Sequence, residues 1–178
     1  MNIVLNDDLR LRALELRDSD TLVRWLSDPE VLAYYEGRDR PHDSALVQEH
    51  FFDHQDNMSS YIIEHKGTDI GYIQIYPLDD EEAQIYGYQD NSAGLYGMDQ
   101  FIGETDYWNQ GIGSQLITEV VKYLVEKRGA RRIVLDPQAW NTRAIRVYEK
   151  CGFIKKKYLE KHELHEGELR DCWLMEYV

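Results

Sequence analysis

The sequence predicts one α/β domain built on a mixed, mostly antiparallel sheet. Three observations lead there. The 178 residues are 43% hydrophobic and 30% charged, a globular balance. Short β-branched or alternating apolar runs interleave with segments of helical period. No internal repeat, linker or second core interrupts them. A chain of this length buries roughly 70% of its unfolded surface, so it needs no disulfide or metal staple.

Leu9, Leu11 and Ala13 alternate with Arg10 and Arg12 as a first strand. Asp18 or Ser19 caps a helix whose Leu22, Val23, Trp25 and Leu26 share a face, and Asp28-Pro29 ends it and starts another. Gly37 to Pro41 reads as loop, and Asp43 or Ser44 caps a helix through about Gln55. Tyr61 to Ile63 and Ile70 to Tyr76 form a hairpin about the turn Lys66 to Asp69. Asp79 to Asn91 reads as an acidic loop, Leu95 to Ile102 as a strand, and Gly111 to about Lys127 as a strong amphipathic helix. Ile133 to Leu135 is a short strand stopped by Asp136-Pro137, and Asn141 to Cys151 is a last helix closed by Gly152. Phe153 to Lys161 and Cys172 to Val178 pair across a loop from His165 to Asp171.

Charge narrows the partners. With 20 Lys+Arg against 33 Asp+Glu the net charge is −13, which disfavours nucleic acid and favours cationic or neutral ligands. Between Lys66 and Lys122 there is no basic residue, while ten carboxylates alternate with Tyr72, Tyr76, Tyr86, Tyr88, Tyr96, Phe101, Tyr107 and Trp108. That segment is either a solvated acidic surface or a site whose carboxylates and aromatic faces enclose a polycation. Cys151 and Cys172 fit a reduced protein, and no apolar run approaches a membrane span or a signal peptide, so a cytoplasmic location is expected.

Trp108-Asn109-Gln110-Gly111-Ile112-Gly113 connects a strand to the helix that follows, where backbone N–H groups and the helix dipole can receive a pyrophosphate. It is neither a dinucleotide fingerprint nor a Walker loop, since Leu116 stands at the third glycine position and no Gly-Lys-Ser/Thr follows. Thirty residues on, Asn141-Thr142-Arg143-Ala144-Ile145-Arg146-Val147-Tyr148 runs to Cys151-Gly152-Phe153. The two motifs together resemble the GCN5-related N-acetyltransferases (GNAT). The resemblance implies the GNAT fold, a single domain over 1–178 and acetyl-CoA as co-substrate, with no metal. It implies a cofactor site at Phe101, Ile102, Trp108, Asn109, Gln110, Gly111, Ile112, Gly113, Ser114, Asn141, Ala144 and Tyr148. Trp108 and Gln110 depart from the family pattern, which more often has Gln or Arg and a basic residue there. The loop then depends on backbone donors, with positive charge from Arg143, Arg146 or Lys150.

In that fold the strands at Leu95–Ile102 and Ile133–Leu135 run parallel and splay, and acetyl-CoA pairs in the slot near Asp99, Gln100 and Phe101. An amine attacks the thioester, a backbone N–H holds the oxyanion, and the resemblance makes Tyr148 the acid that protonates the thiolate. The alternative for Tyr148 is a core tyrosine beside Phe153. An unperturbed aspartate, with a pKa of about 3.9, is a poor base for an ammonium, so Asp99 is expected to orient and desolvate the cation or to act through water. Asp136 faces the same slot or simply caps an Asp-Pro turn.

Tyr-Gly-Met-Asp-Gln-Phe-Ile-Gly at 96–103, Leu-Asp-Pro at 135–137, Arg-Ala-Ile-Arg at 143–146 and His-Glu-Leu-His-Glu-Gly at 162–167 are similar to the aminoglycoside 6'-N-acetyltransferases. The likeness is strongest to the acetyltransferase halves of bifunctional acetyltransferase-phosphotransferase resistance enzymes, and runs from Met1 to Tyr177. It implies acetylation of the drug's 6'-amine, with Asp99 and Asp136 holding its amino groups. Tyr35, Glu36, Tyr96, Asp79, Asp80, Glu81 and Glu82 are further candidates for walls of that pocket. Rival readings are an acetyltransferase for protein N-termini, lysines or polyamines, and a non-catalytic module that binds CoA or a partner protein. His162 and His165 lack the spacing of a zinc protease motif, Cys151 reads as packing, and His50 and His54 share a helix face without a completing ligand.

Overall fold

A computed structural model describes residues 2–53, 59–88 and 93–177; Met1, His54, Gln55, Asp90, Asn91 and Val178 named above lie outside them. Its strands are ordered β1-β2-β3-β4-β5-β6-β8-β7 in one mixed sheet. The chain divides into two compact units, residues 1–74, 100–110 and 165–168, and residues 75–99, 111–164 and 169–178.

In the first unit β1 (Ile3–Val4) pairs antiparallel with β2 (Leu9–Ala13), and β2 with β3 (Ser59–His65). β4 (Thr68–Pro77) follows through the turn Lys66-Gly67, whose φ values of 49° and 83° suit a tight hairpin. Helices α1 (Ser19–Trp25), α2 (Pro29–Leu32) and α3 (Ser44–Val47) contribute Leu22, Trp25, Leu26, Val31, Leu32 and Val47 to one apolar cluster with Phe51, Ile62, Tyr72 and Phe101. Asp28 and Asp43 cap α2 and α3 as expected, accepting from Glu30 N and Leu46 N at 2.9 Å each. Asp18 does not cap α1 with its side chain. Its two oxygens instead take the Arg12 guanidinium at 3.0 and 2.9 Å, a buried fork-to-fork pair that outcompetes the cap. The helix expected from Asp43 to Gln55 is α helical only to Val47 and then widens into a π turn, Gln48–Phe52.

The second unit holds α4 (Asp80–Tyr86), α5 (Ile112–Arg128), β6 (Arg132–Leu135), α6 (Thr142–Lys150) and most of β5 (Leu95–Ile102), β7 (Phe153–His165) and β8 (Glu168–Tyr177). α5 buries Ile112, Leu116, Ile117, Val120, Val121 and Leu124, the stripe read from its sequence. A second cluster joins Leu78, Ala83, Leu95, Val134, Leu159, Cys172 and Leu174, with Tyr76, Tyr86 and Tyr88 packed against it.

Two further expectations are corrected. The acidic stretch after Leu78 begins with a helix rather than a loop. Asp79 caps α4 by accepting from Glu82 N at 2.8 Å, Asp80, Glu81 and Glu82 sit in the first turn where the helix dipole favours them, and Gly87 ends it at φ 90°. The last hairpin is also longer than expected. β7 and β8 meet at Glu166-Gly167, whose φ values of 51° and 80° make a two-residue turn, so His162 and His165 belong to a strand.

Candidate active site

The site originates in how β5 and β6 part. They run parallel and pair at Leu95↔Arg132, Tyr96↔Ile133 and Gly97↔Val134, where the ladder ends although β5 continues to Ile102. β6 keeps its antiparallel partner instead. Leu135 pairs with Met175, Pro137 O accepts from Trp173 N at 2.9 Å, and Gln138 bridges to Cys172. Pro137 has no N–H to offer a neighbour on its other side. The expected fork is therefore present, opening after Gly97 and Val134.

Asp99 and Asp136 each lie two residues beyond that last pair, so the period of two puts them on the same face as Gly97 and Val134. Tyr76 and Tyr86 report their joint field. Burial is the largest cause lifting the Tyr76 phenol well above its usual range, followed by Asp99, Asp136, Tyr86 and Glu82. Burial likewise lifts Tyr86 far up, with Asp136, Glu82 and Asp99 adding to it. Both phenols are thus neutral donors at physiological pH, standing among three carboxylates. The Tyr76 ring fits because residue 97 is glycine. A Cβ there would lie 2.6 Å from Tyr76 Cε2 and 2.9 Å from its hydroxyl oxygen.

Asp136 is held by two donors on the same oxygen: the Tyr86 hydroxyl donates to Oδ2 at 2.9 Å, and His162 Nε2 lies 3.0 Å from it. That hydrogen bond is the main cause raising the His162 pKa above its ordinary value, against a smaller opposing effect of burial. Glu82 is half-buried, and desolvation, with Asp79 and Asp136 nearby, raises its carboxyl. Of the acidic residues 79–82 only Glu82 faces this cluster. Asp79 is spent as the α4 cap, and Asp80 and Glu81 are exposed.

Tyr96, expected in the pocket, lies three residues from Asp99 and so on the opposite face of β5, with the Arg128 guanidinium 5.5 Å from its ring centre. It is left out of the site. Tyr35 packs on Phe101 at 4.5 Å between ring centres within the first unit, beside Glu36, whose φ is 72°. Tyr76, Tyr86 and His162 are the residues that sequence reasoning missed as site members. The signal was present: His162 lies in the 162–167 motif, and Tyr76 and Tyr86 in the acidic, aromatic segment.

The glycine loop fits an anionic pyrophosphate. Gly111 adopts φ 78°, caps α5 with no side-chain acceptor, and leaves open space where a Cβ would stand, as does Gly113. The helix N-terminus with Ile112, Gly113 and Ser114 therefore presents backbone donors. The departures from the family pattern have local uses. The Trp108 indole N–H donates to Ile102 O at 2.9 Å, and Gln110 Nε2 donates to Asp106 O at 2.6 Å, with Asn109 between them at φ 61°. Asn141 caps α6, accepting from Ala144 N at 3.2 Å. Tyr148 is half-buried on α6, with its ring centre 6.2 Å from that of Phe153, so it packs where the core reading put it and keeps a partly exposed edge. Cys151 donates to Ser114 O at 3.4 Å and accepts from Thr118 Oγ1 at 3.6 Å, locking α6 to α5 as a packing residue.

Fold and site together define an acetyltransferase of the GNAT type, and comparison with known proteins agrees. Residues 15–161 match the acetyltransferase (GNAT) domain family, and the chain belongs to that family. It is 30% identical over 155 residues to aminoglycoside N(6')-acetyltransferase type 1 of Klebsiella pneumoniae, covering 85% of this chain and 76% of that one. The aminoglycoside acetyltransferase AAC(6')-Ib, solved with coenzyme A and kanamycin, superposes with a TM-score of 0.76 at 26% identity over 96% of this chain and 94% of that one. The same enzyme has also been solved with acetyl-CoA. A spermidine N-acetyltransferase of Vibrio cholerae, solved with CoA and spermine, shares the fold, with a TM-score of 0.72 at 19% identity over 96% of this chain and 95% of that one. Enzymes of this family use acetyl-CoA as co-substrate. Among the described residues no helix is long and apolar enough to cross a membrane.

Proposed function

We propose that the protein transfers the acetyl group of acetyl-CoA to the 6'-amino group of aminoglycoside antibiotics and so inactivates them. The observation that carries this reading is the placement of the carboxylates Asp99 and Asp136 on one face just past the fork, with Asp136 held by Tyr86 and His162. A compact polycation is the ligand whose binding relieves the repulsion among such carboxylates. The 30% identity to an aminoglycoside N(6')-acetyltransferase supports the same choice. So does the likeness along the chain to the acetyltransferase halves of bifunctional resistance enzymes.

Each residue then has a task. Gly111, Ile112, Gly113 and Ser114 present the α5 N-terminus to the pyrophosphate of the co-substrate. Asp136, steadied by Tyr86 and His162, and Asp99 beside it hold drug ammonium groups and bring the reacting amine to the fork. The amine loses its proton to water or through Asp99 before attack, since a charged amine has no lone pair to donate. Tyr148 supplies the proton that the departing thiolate takes up, its pKa in water of about 10 being close to that of a thiol. The whole chain acts as one domain in the cytoplasm, where Cys151 and Cys172 stay reduced.

Thiol release from acetyl-CoA, followed with kanamycin, with spermidine and with a basic peptide in parallel, tests the proposal. Saturable turnover with kanamycin at a kcat/KM at least a hundred times that for the other two is expected. Turnover confined to spermidine or to the peptide refutes the substrate, and no turnover with any acceptor refutes the activity. Cells expressing the chain should also tolerate kanamycin better than cells expressing its Tyr148→Phe variant.

A further inference from the structure

We propose a divalent transition-metal site at Glu36, His42 and His50 in the first unit, independent of acetyl transfer. One ligand atom from each of these three residues lies within 4.8 Å of the others. The sequence pairs His50 with His54, but the fold pairs it with His42, whose Nε2 is 3.0 Å from His50 Nδ1.

The geometry is close to that of a metal-bound pair. Two imidazole nitrogens at about 2.0–2.1 Å from one tetrahedral zinc ion are about 3.3 Å apart. The rings need to separate by only a few tenths of an ångström, which a small side-chain rotation supplies. His42 is the fixed member. It is 1% exposed, its backbone N–H donates to Leu26 O at 2.9 Å, and its Nδ1 lies 2.8 Å from Arg40 O. A carbonyl only accepts, so Nδ1 carries the hydrogen and the neutral ring turns the lone pair of Nε2 toward His50. This is the backbone-oriented histidine that metal sites use to fix a ligand's tautomer.

The other two ligands are brought in by unusual backbone. His50 stands in the π turn Gln48–Phe52, which alters the direction of side chains relative to an α helix, while Phe51 of that turn is buried in the core. Glu36 has φ 72°, the left-handed region that non-glycine residues avoid, just before Gly37. Strained backbone of this kind concentrates where side chains must converge. Glu36 and His50 are half-buried, which leaves a fourth position for water.

When a metal ion takes the place of the hydrogen between the rings, His50 carries its proton on Nε2 instead. The Arg40 guanidinium, 3.5 Å from that atom and on an exposed side chain, then swings into solvent. Two imidazoles and one carboxylate select a borderline ion such as Zn2+ over Mg2+ or Ca2+, which prefer all-oxygen shells. Bound there, the ion ties the segment 36–42 to the helix at 44–52.

The test is calorimetric titration of the chelator-stripped, full-length protein with zinc chloride, paired with the visible spectrum of the cobalt(II) form. One equivalent of zinc is expected, competed neither by a large excess of magnesium nor by kanamycin or acetyl-CoA. Tetrahedral cobalt bands are expected, with a rise in Tm of about 5–10 °C at free zinc near 100 times Kd. His50→Ala and Glu36→Gln should each weaken zinc at least tenfold, while the control His65→Gln binds as the parent does. Both test residues are only half-buried, and circular dichroism of each variant checks that it is folded. No uptake at about 100 µM zinc by the parent, or less than tenfold weakening in either folded variant, overturns the site.

Discussion

Asparagine in place of Asp136 separates charge from shape at the point where the site converges. The change is isosteric and keeps a carbonyl oxygen for the Tyr86 hydroxyl, now 2.9 Å from the carboxylate. Folding stability should therefore change by only about 1 kcal/mol. Drug binding should change more. Coulomb attraction at 4 Å approaches about 4 kcal/mol at an effective dielectric near 20. The Asp136 side chain is 25% exposed, so the smaller figure for a charged hydrogen bond, about 1.5–3 kcal/mol, is the better guide. That corresponds to a rise in the kanamycin KM of about 10- to 150-fold, with a much smaller fall in kcat. The His162 ring gives a second readout. Its pKa is raised mainly by the hydrogen bond to Asp136, so in the variant the lowering effect of burial is opposed only by the weaker pull of Glu163 and its NMR titration midpoint should fall. The sign extends to stability: a raised folded pKa stabilises below the unfolded value of about 6.5, and that contribution is lost as pH climbs through the folded value. The stability gap between parent and variant should narrow over that interval. A KM within threefold of the parent, with an unmoved His162 midpoint, would refute the argument.

His162→Gln should alter the pH dependence of binding rather than its strength at high pH. In the parent, the imidazolium offsets Asp136 until pH passes the raised His162 pKa, so kanamycin KM falls as pH rises; the ratio of parent to variant KM should drop about three- to tenfold between pH 5.5 and 8, and a flat ratio counts against the pairing. Tyr148→Phe removes one hydroxyl from a half-buried ring and should lower kcat by about 10²- to 10⁴-fold at an unchanged KM, whereas a kcat within threefold of the parent would leave Tyr148 a core residue beside Phe153. Gly97→Ala sets a methyl 2.6 Å from Tyr76 Cε2, which should cost about 1–3 kcal/mol in urea unfolding and raise KM by displacing that ring; a fully stable, fully active variant would show the contact to be unimportant.

The fold was largely legible because its signals are local. The α5 stripe from Ile112 to Leu124, the Asp28-Pro29 start of α2 and the Asn141 cap of α6 each depend on residues within a turn or two of one another. Errors arose where local signals competed. Four consecutive acids at 79–82 look like solvated loop until Asp79 is recognised as a cap and the next three as first-turn residues. His165 to Asp171 is polar enough to pass for a loop, yet a left-handed Glu166-Gly167 pair alone turns the chain. Within the site, Asp99 and Asp136 were candidates because each stands in a motif that carries the family resemblance, one inside β5 and the other just past β6. Tyr86 and His162 lay in segments already singled out, but their pairing with Asp136, like the His42 to His50 contact, was not legible, since a partner 50, 26 or 8 residues away is set by packing rather than by spacing. Tyr96 failed for a simpler reason: its parity along β5 is opposite to that of Asp99.

One break in the sheet accounts for both halves of the proposed chemistry. Had β6 continued beside β5, Met98 and Asp99 would face a neighbouring strand, and Asp136 would sit in a ladder where a carboxylate has little room. Instead β6 stays with β8 through Leu135, Pro137 and Gln138, and Pro137 offers no donor toward β5. The vacated edge of β5 is then available to an extended amide-bearing co-substrate, while the register Gly97↔Val134 carries Asp99 and Asp136 forward in step. A ligand of opposite charge held by that pair is necessarily held at the fork, where an acyl group lying along β5 would end. On the proposed function, donor and acceptor are brought together by strand register, and Tyr76 over Gly97 and His162 against Asp136 are the side chains that would set how strongly the cation is drawn in.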